Sequence, residues 1–315
     1  MTFGEAVISA DLDRRFGGLA RLYGAAGARR IRAAHVVVVG LGGVGSWAAE
    51  AAARSGVARL TLVDLDHIAE SNINRQVHAL DNTLGQAKVQ AMRERIAHIN
   101  PACRVDCIEE FVDAENWPDV LAFNDEFGSG FDWKQLAVID ACDQVRAKTA
   151  MAAWAIKNKA TLISVGAAGG KRLAHRVDIE DLSGVTHDPL LAQMRYRLRK
   201  EHGAARQGKI GVACVFSREP VLQPAAVSAL AQFSARPPQG KLAPSGGSEL
   251  REANSVGANF QQENRMQEVL ETQGHAIAQI DGSLNCHGYG SVVSVTSTFG
   301  LCAAGWVLSK IAGEF

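Results

Sequence analysis

Cysteine is scarce in this sequence, and what there is suits neither a disulfide framework nor a metal cage. Six residues (Cys103, Cys107, Cys142, Cys214, Cys286 and Cys302) are spread over 315 positions, with no C-x-x-C pair among them. Cys103 and Cys107 form the only close pair, and a structural zinc needs four ligands, so no zinc is expected. The same sparseness points to a reducing cytoplasm. Surplus charge is missing too: 33 basic side chains meet 33 acidic ones. A global field for nucleic acid is thereby excluded, and a polyanion would have to be met by a local patch. Met1 to Ala10 has no basic n-region, so no secretory signal is expected. The longest apolar segment, Val292 to Leu308, is short for a bilayer span and carries Gly300 and Gly305. It reads as a buried core helix, with peripheral membrane association as the second reading.

Apolar residues make up 47% of the chain, enough for a sizeable core. The β-branched run Val36-Val37-Val38-Val39 ends in Gly40-Leu41-Gly42-Gly43-Val44-Gly45, and an Ala-rich helix follows to about Arg54. Strands are predicted at 34–39, 59–64, 104–109, 137–140 and 161–165, alternating with helices over 85–99 and 145–158. Strands and helices in this alternation predict an α/β fold, a Rossmann-like doubly wound and mostly parallel sheet. Beyond Gly170 the spacing predicts a strand over 171–179, a basic helix over 189–202 and a strand over 211–216. Two parts are expected, a nucleotide-binding part at 1–170 and a substrate-binding part at 171–315 that closes the same fold. The stretch 234–282, rich in Pro, Gly, Ser, Gln and Asn with almost no aromatics, reads as a flexible insertion.

Gly40, Gly42 and Gly45 have the G-x-G-x-x-G spacing that brings phosphate to a helix N-terminus. Asp64 stands about 20 residues on, where a ribose acid is expected. Those features alone fit a dinucleotide-binding module. Gly43 adds space at the turn, Asn72 and Arg75 follow the second strand, and Lys88 opens the next helix. Activating a carboxylate with ATP brings an anionic oxygen to an anionic phosphorus, and fixed cations stabilise the charge that develops there. Asp140 and Asp143, at the end of a central strand, are suitable Mg²⁺ carriers. Hydride transfer needs none of these groups. Taken singly, Arg75 and Lys88 could be solvated surface charges and Asp140 a strand-end residue; their joint spacing favours the site.

Gly-Leu-Gly-Gly-Val-Gly-Ser at 40–46, Asp-Leu-Asp at 64–66, Ser-Asn-Ile-Asn-Arg-Gln at 71–76, Gly-Gln-Ala-Lys at 85–88 and Ile-Asp-Ala-Cys-Asp at 139–143 resemble the ubiquitin-activating (E1) superfamily, which includes the MoeB and ThiF adenylyltransferases. The resemblance implies ATP and Mg²⁺ as cofactors. It places Asp64 at the ribose, Asn72, Arg75 and Lys88 at the phosphates and Asp143 at the metal, with Asp66 and Gln76 also among the nucleotide-binding residues. It further implies a homodimer in which an N-terminal arginine, Arg15 before Arg21, reaches the partner's ATP. Arg15-Phe16-Gly17-Gly18, Gly166-Ala167-Ala168-Gly169-Gly170, Gly208-Lys209-Ile210-Gly211 and Cys214-Val215-Phe216-Ser217 are similar to the tRNA-modifying branch, the threonylcarbamoyladenosine dehydratases. That likeness implies adenylation and cyclisation of the threonylcarbamoyl group at position 37 of tRNA. The alternative is activation of the C-terminal Gly-Gly of a sulfur-carrier protein. Cysteine desulfurase or sulfur-acceptor partners stay open, as do a monovalent cation in the glycine-rich C-terminal region and a role for Cys286. The tRNA-binding patch is expected at Arg195, Arg197, Arg199, Lys200 and Lys209, extended by Lys171, Arg172 and Arg176, with Tyr196 placed to stack on a base.

Overall fold

The computed structural model describes residues 10–121, 136–222 and 289–314. The expected insertion at 234–282, and Cys286, lie outside the described residues. Two N-terminal helices, α1 (Leu12–Phe16) and α2 (Gly18–Ala33), precede β1 (His35–Val39). The chain continues through α3 (Gly45–Arg54), β2 (Arg59–Val63), α4 (Lys88–Ile99), β3 (Arg104–Ile108), β4 (Leu136–Asp140), α5 (Val145–Asn158) and β5 (Thr161–Val165). It then adds β6 (Val177–Asp181), α6 (Pro189–Glu201), β7 (Ala213–Ser217) and a long terminal helix, α7 (Val293–Ala312).

The strands form one seven-stranded sheet in the order β3-β2-β1-β4-β5-β7-β6. All pairs are parallel except β6 with β7, so the edge strand is antiparallel. The order reverses between β1 and β4, and ligands of open α/β sheets bind outside the strand C-termini at such a reversal. Alternate side chains of the central strands feed opposite layers. Val36, Val38, Leu60, Leu62, Ala137 and Ile139 pack toward α3, α4 and α7. Val37, Val39, Leu136 and Val138 pack toward α5 and α6. Strands covered on both faces are apolar throughout, which is why the Val run carries no polar alternation.

The apolar C-terminal segment does form a core helix, as expected. By length and composition α7 could cross a bilayer, with mean hydropathy 1.3. Its apolar side is instead used inside the fold: Val295, Phe299, Ala303, Ala304 and Val307 are buried in the α3 layer. Gly300 permits the close crossing, because a Cβ there would stand 2.3 Å from the carbonyl oxygen of Val44. One predicted strand starts late. Residues 171–176 turn instead of extending, and β6 begins at Val177, because Glu219 binds the backbone N–H groups of Arg172 and Leu173.

Candidate active site

Most of the wall of the cavity at the β1/β4 reversal comes from chain segments leaving strand C-termini. After β1, Gly40 adopts φ +85°, and a Cβ on it would approach the Ala141 carbonyl oxygen to 2.9 Å. Gly45 opens α3 so close to the turn that its Cβ would fall 1.8 Å from the Gly40 oxygen. The N-cap of α3 is Val44, which has no side chain to cap the first N–H groups. Those donors and the positive end of the helix dipole are suited to an anion. Gly42 faces open space, with no atom within 4 Å of where a Cβ would stand. Gly43 differs from the sequence expectation. The space it leaves is taken by the Arg75 stem, whose Cγ would be 3.0 Å from a Cβ, and not by open cavity.

The second segment follows β2. Asp64 accepts the backbone N–H groups of Leu41 and Asp66 at 2.5 and 2.9 Å. Burial pushes its pKa above the ordinary value, while Lys88 and the two backbone donors pull it back. Lys88 is only 5% exposed, with Nζ 2.6 Å from Asp66 and 3.6 Å from Asp64. It is held there because His67 pairs with Ala87 in an isolated bridge and the Lys88 backbone N–H donates to Asp66. That bridge also moves the start of α4 from the predicted Gly85 to Lys88.

Asn72 and Arg75 belong to the same second segment, in the turns between Asp66 and Lys88. Asn72 is buried and accepts the Ala69 N–H at 3.1 Å. Arg75 donates from one terminal nitrogen to the Ser71 carbonyl and to Asn74 Oδ1, at 2.6 and 2.9 Å. Trp47 Nε1 holds the Arg75 carbonyl at 2.9 Å. Arg75 Nε and Gln76 Oε1 are buried without a hydrogen-bond partner. Buried polar groups normally find partners, and both of these belong to residues that line the cavity.

Asp64, Asp66, Asn72, Arg75, Gln76, Lys88 and Asp143 all line one cavity of about 500 Å³ with Gly40, Gly42 and Gly43. Its far wall is Gly166, Ala167, Ala168 and Gly169 after β5, together with Thr296 from α7. Neither group was among the expected nucleotide contacts. The four-residue turn could have been found from its place at a parallel strand's C-terminus. Thr296 lies too far along the chain for any local signal. A triphosphate fits the uncapped helix, the open side of Gly42 and the cationic Arg75 and Lys88 on the wall. Mg²⁺ is usually held by one or two carboxylates plus phosphate oxygens and water. The exposed Asp143 carboxylate on the cavity wall meets that need. Among the described residues no group of three His, Cys, Asp or Glu could hold a metal by itself.

Two sequence expectations need correction, those for Asp140 and for the basic helix. Asp140 does not line the cavity: it is fully buried beneath it, paired with Lys148 at 2.9 Å. Arg15, expected at the partner's nucleotide and not at its own, lines a separate cavity of about 680 Å³ and donates to the Ile99 carbonyl at 2.8 Å. In the basic helix, Arg195 is spent on the carbonyls of Leu182 and Val185, both at 2.9 Å. Arg197 pairs with Glu201 and Arg199 holds the Ala205 carbonyl. Lys171, offered as an extension of the patch, is buried against the carbonyls of His187 and Glu219. Lys200 and Lys209 remain exposed, Lys200 lying 5.7 Å from the exposed Tyr196 ring. Burial pushes the thiols up, Cys103 to about 12 and Cys107 to about 11, and it raises Cys142 and Cys214 well above the ordinary thiol value. None of these four is a thiolate nucleophile near neutral pH.

The ThiF family model matches residues 16–314, almost the whole chain. The chain belongs to the ThiF family. Within that family, this member is 43% identical over 222 residues to the tRNA threonylcarbamoyladenosine dehydratase of Escherichia coli K12, covering 70% of this chain and 79% of that one. The crystal structure of the E. coli enzyme, TcdA, in complex with ATP superimposes with a TM-score of 0.71 at 34% identity, over 98% of each chain. The E. coli molybdopterin-synthase adenylyltransferase is 32% identical over 138 residues, which is 44% of this ThiF-family chain and 51% of that protein. The likeness to the dehydratase thus runs through β6, α6 and β7, beyond the nucleotide-binding strands.

Proposed function

We propose that this chain is an ATP-dependent tRNA threonylcarbamoyladenosine dehydratase acting in the cytoplasm. The threonyl carboxylate of the modified adenosine attacks the α-phosphorus of ATP and pyrophosphate leaves. The neighbouring carbamoyl nitrogen then attacks the activated carbonyl, the ring closes, AMP departs and one water is lost overall. The observation that carries this reading is the cavity that gathers α3's uncapped N-terminus with Asn72, Arg75, Gln76 and Lys88.

In this reading Asp64 accepts the ribose hydroxyls and the glycine turn lets backbone approach the phosphates. Arg75 and Lys88 face charge that grows as pyrophosphate separates, and fixed cations lower that barrier without reorganising. Asp143 would hold Mg²⁺, which would neutralise phosphate charge there. An intramolecular nucleophile can have an effective molarity of about 10⁵ M or more, so no thioester relay is required; the raised thiols agree with that. Arg15 lies away from its own chain's cavity, which supports a homodimer in which it completes the partner's site.

Incubating the full chain with ATP, Mg²⁺ and tRNA bearing threonylcarbamoyladenosine, then digesting the tRNA for nucleoside mass spectrometry, tests the assignment. The expected result is loss of one water from that nucleoside. An unchanged nucleoside, alongside adenylation of a protein ending in Gly-Gly, would overturn it.

The corrected basic helix predicts two different phenotypes. Arg195→Ala should lower stability by roughly 3 kcal/mol, the lower end for two hydrogen bonds from a charged group, and leave the salt dependence of tRNA binding unchanged. Lys209→Ala should weaken tRNA binding and reduce its salt slope by about one, with an unchanged melting temperature. Filter binding across a salt series and a thermal melt separate the two.

A further inference from the structure

The buried pair beneath the cavity has no place in the chemistry described above. Asp140 ends β4 and Lys148 lies in the first turn of α5, and neither side chain has any exposed surface. Between them runs the 141–144 loop, all four of whose residues line the nucleotide cavity. A buried ion pair is seldom worth more to stability than apolar residues of the same shape. Stability alone therefore leaves this one unexplained.

Its contacts converge on the root of that loop. Asp140 Oδ1 receives Lys148 Nζ at 2.9 Å, the Cys142 backbone N–H at 3.3 Å and the Cys142 thiol at 3.1 Å. Oδ2 receives the Ser164 hydroxyl from β5 at 2.6 Å. Lys148 Nζ returns to the Asp140 carbonyl at 3.2 Å and to Ser164 Oγ at 3.3 Å. The loop's other end is tied by the same residue, since the Lys148 backbone N–H donates to the Gln144 carbonyl at 3.0 Å. Ala141 is fixed to the glycine-turn side through its N–H bond to Val39. Asp143 thus stands, exposed, in a loop pinned at both ends and from two strands. Coulomb attraction between fully desolvated partners fixes such geometry more strictly than apolar packing would.

We infer that Asp140, Lys148 and Ser164 are positioning residues that act through Asp143, setting where the cavity's metal-binding carboxylate meets the nucleotide-bound Mg²⁺. This rests on the reading of Asp143 as the metal carrier. Partners that orient a ligand from behind typically matter about 10–100-fold for metal affinity or activity.

The test is calorimetric ATP binding to the full chain, once with Mg²⁺ and once with EDTA, for wild type, Asp143→Asn, the double variant Asp140→Asn/Lys148→Met, and the triple combination. The double variant should fold and bind ATP in EDTA as wild type does, yet lose at least about ten-fold of the Mg²⁺-dependent gain in affinity. Asp143→Asn should lose the same increment, and the triple variant should lose no more than either, because coupled residues are non-additive. Ser164→Ala, which removes only one hydroxyl, should show part of the loss and serves if the double variant does not fold. A folded double variant or Ser164→Ala with the full Mg²⁺ gain, or losses that add in the triple variant, would overturn the inference. Nucleoside analysis of the wild type tests the substrate separately, since ATP affinity does not depend on which carboxylate is activated.

Discussion

Replacing Lys88 by alanine should reduce ATP–pyrophosphate exchange by roughly 10²- to 10³-fold, the scale seen when one preorganised charge donor is removed from a site. The reason is where this lysine sits: buried, 2.6 Å from Asp66 and 3.6 Å from Asp64, on the cavity wall. Its loss should also change the acid side of the pH profile. Burial holds the Asp64 pKa above its ordinary 3.8, and Lys88 is the largest opposing influence. A carboxyl whose folded pKa is raised favours its protonated form in the fold. Its contribution to stability therefore falls as pH rises from 3.8 through the raised folded value. Without Lys88 that window extends to higher pH. Nucleotide binding through the Asp64 carboxylate needs the deprotonated form, so affinity should fail at a less acidic pH in Lys88→Ala than in wild type. Exchange within two-fold of wild type, with an unshifted acid limb, would remove Lys88 from the mechanism.

The second large effect separates two glycines of the same turn. Gly45→Ala would place a methyl 1.8 Å from the Gly40 carbonyl oxygen. That oxygen has nowhere to go, because the Gly40 N–H is bonded to Val63 and its Cα faces the Ala141 carbonyl. The clash should cost about 3 kcal/mol or more, at the upper end for overpacking, and lower the melting temperature by roughly 6 °C or more. Gly42→Ala meets no protein atom within 4 Å, so the fold should melt as wild type does. Its methyl enters the cavity instead and should weaken ATP binding by at least about ten-fold, since only a bare backbone comes close to phosphate at this position. Differential scanning calorimetry and ATP titration on both variants read the two effects. A Gly42→Ala protein that keeps full affinity would move the phosphates away from the turn.

Local chemistry made much of this legible in advance. The Val36–Val39 run, the glycine spacing and the acid after β2 each follow from a few consecutive residues, and helix α5 and strand β5 fall at 145–158 and 161–165 as the periodicity predicts. Asn72, Arg75 and Lys88 stood out by their place after the second strand, the family resemblance added Gln76, and the fold brings all four to one cavity.

Residue types that serve equally well in two places were beyond that reach. Asp140 and Asp143 are the same acid three positions apart, yet one is sealed against Lys148 and the other opens to the cavity. Gly43 promised room for phosphate, but the Arg75 stem fills it. Arg195 reads as a phosphate ligand until the carbonyls of Leu182 and Val185 arrive from a neighbouring loop.

The chain's order of residues alone determined the alternating strands and helices, the phosphate turn and the cations near it, because those depend on backbone propensity and short spacing. Tertiary structure alone decided which charges are spent inside the protein and which are left for a ligand, because burial and distant partners, not residue type, set the cost of leaving a charge unpaired.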